Sequence, residues 1–415
     1  MPSRITWLRL WSDVALTATS RAIDDSRVPQ LDSLRGLAAV SVVFWHAAIV
    51  WPGFADRDPN SVWLEPLKRS PLHAFWAGQE AVILFLVLSG FVLALPFCSR
   101  EVPVFGFLIR RVLRLYPAFA LATLLAVPAI VLTSSISVPG TSAWFAGVGS
   151  QPPSIATVIN QLTLVGVQDP SAVNPIVWSL VVEMRISLIF PVLAWLALRY
   201  PWQLVMPVAG VVMIADSHGY LLRWDSLHTG SFILLFLGGI YLARHRHAVV
   251  RLFATLPLPI RIGVVIGGLI AYSYHYVSPS WAPQGYWAEV TVAGAGSAIL
   301  LVAALQAGEA GSILRHRFLL ALGRSSYSVY LFHTLIMFSA IRLLATWLGA
   351  GFAEGIGVAL VVPIALLVYR WVELPGIRLG KWLAGRLPES SSARARTATT
   401  DVLGARGIQP AAVDR

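Results

Sequence analysis

Apolar residues gather along the chain into long blocks that polar connections interrupt. About ten blocks are near the ~20 residues that a membrane-spanning helix needs. They lie near residues 34–51, 79–98, 113–133, 176–198, 202–215, 230–243, 260–277, 287–306, 325–347 and 354–371, the fifth and sixth being short. The connections are rich in Pro and Ser, and one of them, SSISVPGTSAWFAGVGSQPPS, carries no charge. No internal repeat and no second soluble domain shows in the pattern. The expected fold is all-α, a polytopic integral membrane protein of about ten transmembrane helices. It divides into an N-terminal segment 1–28, a transmembrane domain 29–385 and a tail 386–415 that is polar, low in aromatics and expected to be disordered.

Composition sharpens this picture. Of 415 residues, 57% are hydrophobic and 12% charged, about half the charge of a water-soluble domain. The net charge of +11 sits in short loops between apolar blocks, which fits membrane orientation better than a nucleic-acid footprint. With ten spans and a cytoplasmic N-terminus, 25 of the 31 Lys and Arg fall on the cytoplasmic side and four on the outer side, while Arg185 and Arg342 lie within spans. Both termini are therefore expected in the cytoplasm, with the chain in the inner or plasma membrane. Arg9, Asp13 and Arg21 break up the start of the chain, so no cleavable signal is expected there. A single cysteine, Cys98, excludes an internal disulfide framework.

Ionisable residues inside apolar blocks are costly and tend to mark a site. The first block, LDSLRGLAAVSVVFWHA, carries Arg35 and His46. Eleven residues at 100° each return to within about 20° of the same face, and the climb is about 16 Å. Alone, the pair reads equally as a snorkelling arginine and a histidine bonded to a neighbouring helix. The functional reading is a ligand held by its anionic end at Arg35, with its reactive end at an imidazole that serves as general base. In FGFLIRRVLRLYP, Arg110 and Arg114 share a helical face and Arg111 pairs with Arg114 at i, i+3. Clustered guanidiniums suit phosphate, although a lipid headgroup contact explains them as simply. Glu183 in NPIVWSLVVEMRISLIFP must pair, protonate or touch water, and Arg185 or an arginine of another span is its expected partner. Tyr327, Tyr330 and His333 in LGRSSYSVYLFH line a cavity in one reading and form an interfacial belt and a packing contact in the other, and Glu373 in YRWVELP stands at the cytoplasmic end of the final span. Outer-side Trp51, Trp63, Trp144, Trp281 and Trp287 belong to that belt more readily than to a sugar platform.

Taken together, LDSLRGLAAVSVVFWHA, LFLVLSGFVL, RRVLRLYP, WSLVVE followed by FP, SYSVYLFH and VELP resemble, in order, the motifs of the acyltransferase 3 family. The resemblance spans roughly residues 29–380. Its most specific element is an arginine, ten residues and a histidine, matched by Arg35 and His46. Many members have Phe-Tyr after WSLVVE, where this chain has Met184, Arg185, Ile186 and Ser187. The family consists of ten-span membrane O-acyltransferases. The resemblance implies transfer of an acyl group, expected to be acetyl, from cytoplasmic acyl-coenzyme A to a hydroxyl of a carbohydrate, glycolipid or secondary metabolite. It implies His46 and Glu183 as catalytic residues and Arg35, Arg110, Arg111 and Arg114 as donor-binding ones. Trp178, Ser179, Tyr327, Tyr330 and His333 are expected at the substrate. No metal and no nucleic acid is implied; membrane lipid is a partner. The alternative is a transporter with Arg35, His46 and Glu183 as a substrate and proton relay, against which the missing repeat counts.

Overall fold

The computed structural model describes residues 28–55, 64–166, 172–218, 228–278, 282–283, 285–306 and 313–387, and these are helices and connecting turns without strands. Ten helices of 15 residues or more occur among them. They are α1 (Pro29–Ala48), α2 (Gln79–Ser99), α3 (Val104–Thr133), α4 (Val177–Arg199), α5 (Trp202–Ser217), α6 (Thr229–Thr255), α7 (Leu258–Tyr272), α8 (Tyr286–Gln306), α9 (Ser326–Leu348) and α10 (Ala350–Val368). A π turn over Tyr369–Glu373 carries α10 into a last helix, Leu374–Gly385. Six helices, namely α2, α3, α4, α8, α9 and the continuous Ala350–Gly385, are long and apolar enough to cross a membrane, and α5 and α7 are shorter apolar helices. The chain is a multi-pass membrane protein.

The helices overrun the apolar blocks where charge had hidden them. α3 starts about nine residues before its block, because Arg110, Arg111 and Arg114 belong to the helix itself. α6 likewise runs on through Arg244, Arg246 and Arg251 to Thr255. A helix satisfies its own backbone hydrogen bonds on both sides of the bilayer edge, and long cationic side chains reach sideways out of it. α1 opens at Pro29, whose missing N–H is no loss in a first turn. α7 ends at Tyr272, short of residue 277, and a separate turn, Tyr274–Val277, follows. The expected N-terminal segment and tail, together with Trp63 and Trp281, lie outside the described residues, save for Val28 and the last turn at 386–387.

α1 is the axis of the arrangement. It touches α2, α8, α9 and α10, the short helix Arg317–Arg324, and the 3-10 turn Pro71–Trp76. Ser41 Oγ fastens it to that turn by donating to the carbonyls of Ala74 and Ala77, each at 3.1 Å. α2 packs on α6, α9 on α10, and the Leu374–Gly385 helix on α3. One large apolar core is centred on α2, α4 and α6 and includes Phe91, Phe190 and Phe236. Leu132, Trp347 and Phe352 project outward, as side chains that meet lipid do.

Candidate active site

A cleft opens at the end of the bundle where α1 begins, and Arg35, Arg111, Arg114, Ser89, Glu183 and Tyr327 are among its walls. Arg111 is buried and committed. Its Nη2 donates to Glu183 Oε1 at 2.7 Å, and its Nε and Nη2 both donate to Ser187 Oγ at 3.1 and 3.0 Å. Ser89 Oγ also donates to Glu183 Oε1, at 3.1 Å. Among the described residues no carboxylate forms an ion pair with Arg35 or Arg114, so the cleft carries an excess of cations over its single glutamate. Such a wall suits an anion chemically.

The second space lies where α1 ends. This vestibule, wide and open, has His46 in its wall with Trp45, Trp144, Trp178, Phe54 and Tyr276. The His46 ring lies 5.7 Å from Trp144 and 4.8 Å from His333. His333 Nε2 is 3.1 Å from His46 Nδ1, and His46 Nδ1 is 3.0 Å from the Val42 carbonyl. Trp45 rests edge-on against His73 and Tyr276, with ring centroids 6.4 and 6.1 Å apart.

Tyr330 stands between the two spaces. It lines the cleft, its ring is 5.9 Å from both Phe85 and His333, and its hydroxyl is 2.6 Å from Ser179 Oγ. α1 thus presents Arg35 to the cleft and His46 to the vestibule, with a layer of Tyr330, Ser179 and His333 beside it.

The acyltransferase-domain profile of the acyltransferase 3 family matches residues 28–370. The chain belongs to the acyltransferase 3 family. It is therefore an enzyme that transfers acyl groups, which displaces the transporter alternative. Nodulation protein 10 of Rhizobium leguminosarum bv. viciae is 24% identical to this acyltransferase over 377 residues, 86% of this chain and 95% of that protein. Acyltransferase MdmB of Streptomyces mycarofaciens is 30% identical over 195 residues, 45% of each chain. No solved structure matches significantly.

Of the residues that the sequence pointed to in this acyltransferase, Arg35, Arg111, Arg114, Glu183, Ser179, Tyr327 and Tyr330 meet at the cleft, while His46 and Trp178 face the vestibule. Arg110 is not among the lining residues: its backbone packs against Gly380 of the last helix, one position round α3 from Arg111. His333 is fully buried against His46 instead of lining either space. Glu183 pairs with Arg111; Arg185 turns away to donate to the Val165 carbonyl and to Thr229 Oγ1. Glu373 is buried at the π turn and accepts from Ser328 Oγ at 2.7 Å. Of the outer tryptophans, Trp144 lines the vestibule, Trp51 donates to Glu354 Oε2 at 2.8 Å, and Trp287 is exposed. Sequence reasoning passed over Ser89 and Ser187, which complete the Arg111–Glu183 site. The signal available was a hydroxyl inside an apolar block, Ser89 in one and Ser187 beside Ser179 in the other. Among the described residues no three His, Cys, Asp or Glu side chains cluster as metal ligands would.

Proposed function

We propose that the chain moves an acyl group, acetyl in the simplest case, from cytoplasmic acyl-coenzyme A to a hydroxyl of a carbohydrate, glycolipid or secondary metabolite. The observation that carries this reading is the placement of Arg35 and His46 on one helix, the first in a cationic cleft and the second in an open vestibule. The ~16 Å between them is on the order of an extended pantetheine arm. Ten spans with both termini in the cytoplasm put the cleft on the side where coenzyme A is found.

In this reading the polyanionic nucleotide sits against Arg35 and Arg114, and Arg111, held by Glu183, completes the cationic wall. The thioester reaches His46 past Tyr330. His46 removes the proton of the acceptor hydroxyl as its oxygen bonds to the acyl carbonyl carbon. The carbon–sulfur bond then breaks, and the leaving thiolate takes the proton from the imidazolium, which regenerates the base. Glu183 supports the cleft by balancing Arg111 and is not the nucleophile. Trp178 and the other vestibule aromatics offer faces for an acceptor ring.

The test uses purified protein in nanodiscs with labelled acetyl-coenzyme A and a hydroxyl acceptor. A positioned base contributes about 10²–10⁴-fold, so His46→Ala should lose that factor while still binding coenzyme A. Transfer within about threefold of wild type would sink the assignment. Arg35→Ala and Arg114→Ala should weaken coenzyme A binding in calorimetry; wild-type affinity in both would remove the donor site.

A further inference from the structure

The hydrogens of the two paired histidines can be assigned from their partners. His333 Nδ1 lies 2.6 Å from the Tyr330 carbonyl oxygen. A carbonyl accepts and never donates, so Nδ1 carries the hydrogen, and Nε2 of the neutral ring is an acceptor. That Nε2 is 3.1 Å from His46 Nδ1. His46 Nδ1 also lies 3.0 Å from the Val42 carbonyl, again an acceptor. Both neighbours therefore require a hydrogen on His46 Nδ1. The lone pair of His46 is left on Nε2, for which no hydrogen-bond partner occurs among the described residues, on a ring that lines the vestibule.

We propose that His333 is a positioning residue for acyl transfer: it fixes His46 in the tautomer with a basic Nε2 and steadies the imidazolium that forms there. The proposal rests on His46 being the base. When His46 Nε2 takes the acceptor's hydroxyl proton, positive charge spreads to Nδ1–H, and its bond to His333 Nε2 becomes charge-assisted and roughly twice as strong. His333 does not relay the proton. Its far nitrogen already holds a hydrogen against the Tyr330 carbonyl, and the ring is fully buried. A neutral acceptor here has a physical advantage over a carboxylate, because a second buried ion would add its own desolvation cost. The α9 sequence supplies this acceptor by placing His333 where the carbonyl one turn back fixes its tautomer.

Three variants of the full-length enzyme in nanodiscs decide the matter: His333→Leu, His333→Gln and His46→Ala. His333→Leu removes the acceptor. Its kcat should fall on the order of 10²-fold, with coenzyme A affinity by calorimetry and donor KM unchanged. His333→Gln, whose amide oxygen can accept from His46 Nδ1–H, should recover kcat to within about tenfold of wild type. Equal losses in the leucine and glutamine variants would reduce His333 to packing and overturn the proposal. So would a leucine variant that turns over within about threefold of wild type, even where His46→Ala is inactive and the base reading stands. An active His46→Ala removes the base and the proposal with it. Nitrogen NMR of wild-type enzyme with labelled histidine needs no His333 variant to fold. The His46 signals, identified by their loss in His46→Ala, should show a protonated Nδ1 and a bare Nε2, and the reverse pattern would overturn the proposal.

Discussion

Arg111 and Glu183 place opposite charges inside a helical bundle, 2.7 Å apart, with Ser89 and Ser187 taking up what the pair leaves over. Removing one member of such a pair strands the other, which typically costs about 3–5 kcal/mol, whereas replacing both by apolar residues is often neutral. Arg111→Met alone should therefore lower thermal stability in detergent by that order. Arg111→Met combined with Glu183→Leu should recover most of it, and scanning fluorimetry would show the difference. Activity should fail in both, because the cleft has lost a cation. Glu183→Gln keeps the hydrogen-bond geometry but not the charge, so the protein should stay folded and bind donor while turnover falls. A trapped acyl-Glu183 in mass spectrometry would refute its supporting role. At this scale the sequence was informative about residue types and poor about partners. An ionisable side chain in an apolar block announces that it must be satisfied. Whether Arg185 or Arg111 satisfies Glu183 depends on which helix stands opposite.

Elements position these residues through close crossings and through side chains that clamp backbone. Where α1 passes the Arg317–Arg324 helix, a Cβ on Gly323 would fall 2.0 Å from the Asp32 carbonyl oxygen, and one on Gly36 would fall 2.8 Å from the Gly323 nitrogen. The two backbones touch one residue from Arg35. Gly323→Val should push α1 outward, cost at least the ~1–3 kcal/mol of an overpacked core, and weaken coenzyme A binding more than Arg317→Ala does. The far end has its own clamp. Arg342 of α9 is buried, donates to the carbonyls of Phe145 and Val148, and lies over the Phe145 ring at 5.1 Å. Ser142 ties the same turn to α1, through its N–H to Val50 O at 2.8 Å and its hydroxyl to Ile49 O at 2.7 Å. Trp144 rides on that turn, next to His46. Arg342→Met should therefore raise the acceptor KM severalfold and leave coenzyme A affinity unchanged, as transfer kinetics beside calorimetry would reveal. Arg342→Lys should fall short of rescue because an ammonium lacks the guanidinium fork.

Across the whole molecule, one helix connects a cationic cleft at its beginning with an aromatic vestibule at its end. Under the proposed function, this arrangement would take a donor from one side of the membrane and an acceptor from the other. Reporter fusions placed after Ser150 and after Leu387 should then report opposite sides, the latter cytoplasmic. The same side for both would overturn the ten-span arrangement.

The sequence by itself determined the class, the helices and the chemical vocabulary. Long apolar blocks leave the backbone no alternative to helix in lipid, and the ordered motifs around Arg35, His46 and Glu183 identified the acyltransferase 3 family. Helix ends were less legible, because Arg110, Arg111, Arg114 and the basic end of α6 mimic loops in a hydropathy reading. Tertiary structure alone decided that Arg111 and not Arg110 enters the cleft, that Arg111 takes Glu183 and Arg185 does not, and that His333 is buried against His46 and lines neither space. Periodicity along one helix orders its own residues, but the pairing of Arg111 with Glu183, or of His46 with His333, depends on the rotation and depth of a second helix. That rotation is set by close crossings such as Gly36 on Gly323, which span 287 positions of sequence and leave no local trace.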